Sequence, residues 1–294
     1  MTAIERRPAD ERVWWRKSVP FFLVHLAPLG LFWTGFGWHE AALVAVLYVA
    51  RMFFITAGFH RYFAHRAYKT GRVMQFVLAF CASSSCQKGV LWWAAHHRAH
   101  HRYSDTALDI HSPQRGFWWS HVGWILCRKH QATDFARIKD FAQYPELVWL
   151  NRHHLLPGIA LGSACYAFGG WRALWAFFLS TTLLYHGTFS INSLMHLWGR
   201  RRYVTTDTSR NSFLLALVTL GEGWHNNHHY YQSTANQGFF WWEIDISYYG
   251  LKLLSWLGLV WDLRTPSAQM LASHRVKGSA SGVGFADLTA SGKG

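Results

Sequence analysis

Three groups of histidines stand at spacings that suit metal binding. They are His60 and His65 in His-Arg-Tyr-Phe-Ala-His, His97, His100 and His101 in His-Arg-Ala-His-His, and His225, His228 and His229 in His-Asn-Asn-His-His. On a helix, residues three and four apart are neighbours, so each His-x-x-His-His places its three imidazoles on one face. Neutral imidazoles have little reason to gather unless a cation holds them, and imidazole is the commonest side-chain ligand for such a cation. Eight clustered histidines, with His196 as a ninth, exceed what one four-coordinate zinc uses. The pattern points to two metals. A five-residue step turns by about 140° on an ideal helix, so His60 and His65 are expected to approach from different faces at a helix end. The other ten histidines (His25, His39, His96, His111, His121, His130, His153, His154, His186, His274) are scattered or merely adjacent, and read as ordinary packing or surface residues.

The elements that must position these ligands are long apolar segments. Of the 294 residues 51% are hydrophobic, and their distribution is uneven. Residues 20–38 are almost free of formal charge, and residues 41–59 carry only Arg51. Residues 155–170 and 171–192 form a second apolar pair, interrupted only by Arg172. Each run approaches the roughly 20 residues that cross a bilayer's hydrocarbon core. The charged start lacks the small-residue cleavage site of a signal peptide, so the first span is expected to be retained. Four cysteines, Cys81, Cys86, Cys127 and Cys165, show neither C-x-x-C spacing nor a disulfide framework, which allows a reducing compartment.

The net charge of +14 raises the possibility of nucleic acid, but its placement argues otherwise. Basic residues concentrate in 61–72, 98–139 and 200–210, whereas the short links near 37–40 and 169–172 carry almost none. That is the positive-inside pattern, with the basic segments in the cytoplasm. A single centre needs all its ligands on one side, so residues 73–95, between the first two clusters, are not expected to cross. They read instead as a helix along the interface or against other helices. The expected fold is all-α and integral to the membrane, with four transmembrane helices (about 20–38, 41–59, 155–170 and 171–192). A cytoplasmic helical cap holds the histidine-rich site. Residues 1–18 form a cytoplasmic N-terminal segment, 19–263 the membrane domain and 264–294 a tail, disordered from about Lys277. Both termini are expected in the cytoplasm, at a bacterial inner membrane. The tryptophan- and tyrosine-rich stretch 237–263 suits a helix on the membrane surface.

Nitrogen-only ligation suits zinc, copper or iron. A two-metal site at the mouth of a membrane bundle can receive an acyl chain from the bilayer. Breaking an unactivated C–H bond needs an oxidant, which iron with O₂ supplies and zinc does not. The leading expectation is an O₂-dependent acyl desaturase. A histidine-rich di-iron hydroxylase or alkane monooxygenase is the alternative within enzymes. A metal transporter would line a path across the bilayer with histidines, and here they gather on one side.

At these residues the chain resembles the membrane fatty acyl desaturases of the stearoyl-CoA (Δ9) type. The resemblance runs in order from Pro20 to Leu263 and rests on residues 60–66, 97–101, Asn-Ser-Leu-Met-His (192–196), Gly-Glu-Gly-Trp-His-Asn-Asn-His-His (221–229), Ser-His-Val-Gly-Trp (120–124) and 256–263. It implies a di-iron oxidoreductase of lipid metabolism with nine histidine ligands: His60, His65, His97, His100, His101, His196, His225, His228 and His229. Asn192 would reach one iron through a water. The implied reaction removes two hydrogens from a saturated acyl chain to leave a cis double bond, while O₂ is reduced to water. No haem-binding His-Pro-Gly-Gly or flavin fingerprint is present in the sequence, so a separate donor, such as ferredoxin or cytochrome b5 with its reductase, is the expected partner.

The resemblance also implies a bent acyl tunnel. Gln87, Trp93, Thr188 and Phe189 match its wall, and Tyr48 and Met52 fall where the methyl end would stop. Met52 stands where animal members carry a small residue, so a shorter tunnel favouring palmitoyl over stearoyl chains is expected. Where animal acyl-CoA members carry Arg-Asp before the second cluster, this chain has Ala95-His96, which leaves an acyl-lipid as an alternative to acyl-CoA. Arg51, about 13 Å deeper than His60 along the helix, is expected to face the interior or snorkel. Glu222, before His225, is a candidate to orient a ligand imidazole.

Overall fold

The structure, a computed structural model, describes residues 7–276. The expected tail from Lys277 lies outside the described residues. Helices dominate, and the regular β-structure is one two-stranded pairing, in which Lys69–Thr70 runs antiparallel to Val260–Trp261 and ties the first histidine segment to the C-terminal part.

The first apolar segment is not one continuous helix. Trp15–Leu26 is α-helical, Ala27–Gly30 tightens to 3-10 geometry, and Leu31–Thr34 resumes the α-helix. Two residues explain the interruption. Pro28 has no N–H to donate to the ladder, and Gly30 lies so close to the Trp175 indole that a Cβ would collide with it. The chain then turns through Gly35 and Gly37 into Trp38–Phe54. Glu40 stabilises that start: it accepts from the Gly37 N–H at 2.8 Å and pairs with Arg172 at 2.8 Å, clasping the two distal turns together.

Trp38–Ala64 is 27 residues long, and among the described residues it is the one helix long and apolar enough to cross a bilayer. Leu156–Leu197 breaks at Gly170, whose φ of 60° and ψ of −155° no residue with a side chain adopts cheaply. The break falls at the boundary read from the sequence. The two parts fold back on one another, with Phe177 packed over Gly162 and against Cys165. Outward, Phe32, Trp33, Trp38, Phe168 and Trp171 are exposed around the turns distal to the histidines. Such a contiguous apolar surface with aromatic residues at its end suits contact with lipid.

Residues 73–95 do not form the single helix expected of them. Arg72–Ser83 and Val90–Tyr103 are separate, because the turn between them places Cys86 and Lys88 at positive φ. The second of these helices carries the middle histidine cluster. Beneath it lies the main core, where Phe59, Phe63, Leu78, Leu91, Ala94 and Phe141 are buried together. Within residues 237–263, Ile246–Trp256 is helical and exposes Leu253 and Trp256.

Arg51 faces inward and is only 2% exposed, which rules out snorkelling. Its guanidinium donates to Ser180 Oγ, to Thr181 Oγ1 at 2.8 Å and to the Leu47 carbonyl at 3.1 Å, and it sits over the Phe177 ring at 4.9 Å. Hydroxyls of the hairpin thus replace the carboxylate that such a charge usually finds.

Candidate metal centre

Four segments converge on one end of the bundle: the end of Trp38–Ala64, the helix Val90–Tyr103, the end of Leu156–Leu197, and the short helix His225–Tyr230. The expectation that His60 and His65 face different ways is overturned. Ile55–Ala64 is wound as a π-helix, in which the His65 N–H donates to the His60 carbonyl five residues earlier, at 3.1 Å. One π turn therefore brings the two imidazoles to the same side, edge to face with ring centroids 4.8 Å apart. Such π-segments are often found at functional sites.

All nine histidines expected from the sequence fall into two groups, each with ligand atoms within 4.8 Å of one another. His60, His65, His97, His101 and His228 form one; His100, His196, His225 and His229 form the other. Each His-x-x-His-His is divided between them. His97 and His101, four apart, serve the five-histidine group, and His100 serves the other. In the last cluster the division is reversed, with His225 and His229 in the four-histidine group and His228 in the other. The shared face read from the spacing is real, and it straddles two sites.

Four carboxylates stand behind the rings. Glu222 lies 2.6 Å from His60 Nδ1, Asp109 3.0 Å from His100 Nδ1, Asp207 2.8 Å from His229 Nδ1 and Asp105 3.4 Å from His196 Nδ1. The three aspartates fix a tautomer by accepting the Nδ1 proton, which leaves an Nε2 lone pair for a cation, and Glu222 sets its carboxylate against the Nδ1 edge of His60. Glu222 was legible beforehand; Asp105, Asp109 and Asp207 were not. A usable signal existed for two of them, since Asp105 and Asp109 follow His101 closely in a chain with only 15 acidic residues. Nothing in the spacing marks Asp207, which arrives from a distant loop. Burial would raise the Asp207 and Asp109 pKa values, but the imidazoles that donate to them outweigh it and draw both well below the usual carboxylate range.

The inner nitrogens fit a metal. His228 Nε2 lies 3.1 Å from His60 Nε2 and 2.9 Å from His101 Nε2, and His97 Nε2 lies 2.9 Å from both His65 Nε2 and His101 Nε2. In the other group His225 Nε2 is 3.2 Å from His196 Nε2, and His229 Nε2 is buried without a hydrogen-bond partner. Lone pairs converging at this range repel unless a cation lies among them. Burial first, and neighbouring imidazoles second, hold His97, His101, His225 and His228 well below the ordinary imidazole pKa, which keeps them in the neutral, ligating form.

A cavity of about 620 Å³ reaches this centre. Gln87, Trp93, Thr188, Phe189 and Asn192 all line it, and His60 and His97 stand in its wall. Gln87 donates to Thr188 Oγ1 at 2.8 Å, bridging the two sides, while Trp93 stacks on His97. Tyr48 and Met52 are not among its lining residues; they pack behind Ile55 with Leu184 and Leu220. Trp14, Lys17 and Lys88 also line it.

The sequence model of the fatty acid desaturase family matches residues 36–257, which covers all nine histidines of the two groups. The chain belongs to the fatty acid desaturase family. It is therefore an oxidoreductase that acts on fatty acyl chains. It is 36% identical over 263 residues to the sn-1 stearoyl-lipid 9-desaturase of Synechocystis, covering 88% of this chain and 83% of the relative. It is 34% identical to the Delta-9 acyl-lipid desaturase 1 of Arabidopsis thaliana, over 90% of this chain and 88% of the relative. An acyl-CoA C20 Delta5-desaturase of Anemone leveillei is 36% identical, over 82% and 77% respectively.

Histidines outside the two groups keep ordinary surroundings in this desaturase, with one correction. His111, read as scattered, is buried, stacks on His100 at 4.1 Å and lies 4.0 Å from Asp109. It thus helps to wall the four-histidine group. His121, His186 and His25 form a hydrogen-bonded row, at 3.0 and 3.2 Å, outside both groups.

Proposed function

We propose that this desaturase introduces a cis double bond, at the Δ9 position, into a saturated chain carried as an acyl-lipid or acyl-CoA. Two irons would be held by the five-histidine and four-histidine groups, with Asn192 reaching one of them through a water. When bound, the iron pair would supply the O₂-derived oxidant that C–H cleavage requires. The single observation that carries this reading is the double histidine cage whose wall is also the wall of an apolar cavity.

The chain's own residues perform the rest. Trp93, Thr188 and Phe189 would hold the acyl chain against His60 and His97 and keep water from the reacting carbons. The Gln87–Thr188 bridge would set the bend. Tyr48 and Met52, packed behind Ile55, would limit how far the deep end can extend. Electrons would come from a separate donor such as ferredoxin or cytochrome b5 with its reductase. The proposed topology has four crossings, with the metal centre and both termini cytoplasmic. It is supported by the basic segments on the histidine side and by the aromatic turns opposite. The 9-desaturase names among the relatives support the bond position, and the presence of both acyl-lipid and acyl-CoA relatives leaves the carrier to experiment.

Expression of the full chain with a working donor in a bacterium lacking desaturases tests the proposal, read by chromatography and mass spectrometry of its fatty acids. Monounsaturated products lighter by two hydrogens are expected. A product heavier by one oxygen would assign a hydroxylase instead, and unaltered lipids despite iron-loaded protein would overturn the reading.

A further inference from the structure

The two histidine cages differ in what stands behind them. Asp105, Asp109 and Asp207 back the four-histidine cage, accepting from His196, His100 and His229. All three are buried. Among the described residues none has a lysine or arginine within ion-pair distance; their other partners are backbone N–H groups and the hydroxyls of Thr205 and Thr208. Their charge is thus left to act on the imidazoles and on whatever the imidazoles hold. Among the described residues the one carboxylate behind the five-histidine cage is Glu222, on His60, with the Gln237 amide beside it. That carboxylate is shared with Arg61 at 3.2 Å, and Arg61 is held by Asp245 at 3.0 Å. Among the described residues the buried Nδ1 atoms of His101 and His228 have no hydrogen-bond partner, against His225 alone in the four-histidine cage.

A carboxylate accepting from an imidazole N–H pushes electron density toward the opposite nitrogen, making it a more basic ligand, and substitution of such partners typically costs about 10–100-fold in metal affinity. In a buried site, uncompensated negative charge also favours the more highly charged ion. Resting on the two-metal reading above, we propose that the two sites are electronically unequal. The four-histidine cage takes the first metal ion and favours the ferric state. The five-histidine cage, which opens on the acyl cavity, is the weaker site and holds the more easily reduced iron.

The test is stepwise anaerobic loading of the metal-stripped, detergent-solubilised full chain with ferrous iron, followed by Mössbauer spectroscopy and by equilibrium competition with a chelator. Two spectral components filling in sequence are expected. His225→Ala, which removes a ligand from the four-histidine cage alone, should abolish the first phase, and His65→Ala should leave it in place. Asp207→Asn should weaken the first phase by about 10–100-fold and leave the second unmoved. If that variant does not fold, Asp105→Asn and the ligand variants carry the same comparison. Both sites filling together in the unaltered chain, a first phase lost in His65→Ala, or one unmoved by the aspartate variants would each overturn the inequality. A protein that fills in one phase yet desaturates would sink this inference and leave the proposed reaction standing. Sequential filling with acyl chains left saturated would do the reverse.

Discussion

The helical bundle and the metal-binding cap solve the burial problem in opposite ways. In the bundle the cation Arg51 is buried among apolar helices and is satisfied by two hydroxyls and the carbonyls of Leu47 and Ser84. The cap buries Arg61, Glu222, Asp245, Asp207, Asp109 and six of the nine imidazoles, with His65, His97 and His101 half-buried beside them. Apolar packing holds the first, since helix against helix needs little else. The second cannot be held that way. Its interior is polar, and each group is tolerable only while its partner is present. The comparison teaches that the cap is the part of the molecule whose folding depends on its charges and, on the proposed reading, on the metals its histidines would hold.

The largest expected break in that comparison is removal of metal. An ion present at about a thousand times its Kd contributes about 4 kcal/mol to the state that binds it. Chelation should therefore accelerate amide hydrogen exchange in 97–101 and 225–230 while 171–190 keeps its protection; equal loosening of both regions would erase the distinction. Arg61→Ala comes next. It leaves Glu222 and Asp245 buried without their cation and should cost about 3–5 kcal/mol, read as a fall in the thermal midpoint in detergent. Acidification acts on the cap in the same direction. Because burial keeps His97, His101, His225 and His228 neutral, these groups bind protons more readily when unfolded. The metal-free protein should thus hold its full stability above pH 6.5, the ordinary imidazole value, and lose it as pH falls below. A midpoint independent of pH across that range would contradict the burial argument.

Smaller effects sharpen the bundle side. Ser180→Ala with Thr181→Val leaves the Arg51 guanidinium short of acceptors and should cost about 1–3 kcal/mol, whereas Arg51→Met should be close to neutral. Finally, Met52→Ala should shift chain-length preference toward stearoyl by about tenfold, in competition between palmitoyl and stearoyl substrates. An unchanged ratio would remove Met52 from the tunnel.

Much of this protein could be read before its structure, and for definite reasons. Imidazole is a good ligand whatever its surroundings, so His60, His100 or His229 announced its chemistry by type and spacing alone. Apolar runs announce helices, and a glycine pair between two such runs marks the turn, as Gly169–Gly170 did. The kink at Pro28–Gly30 was harder to see, because it depends on Trp175 arriving from another segment. The division of each His-x-x-His-His between two sites needed tertiary structure, since local spacing says which rings are neighbours but not which distant helix faces them. The same holds for the π-helical winding that joins His60 to His65, which an ideal-helix rotation could not anticipate. It holds above all for the carboxylates. Asp207 meets His229 and Asp105 meets His196 only because loops far apart in the chain are folded over the same centre. Ligand identity is a property of side-chain chemistry and is carried by the sequence; ligand partition and the charge behind each ligand are properties of distance, which only the packed chain defines.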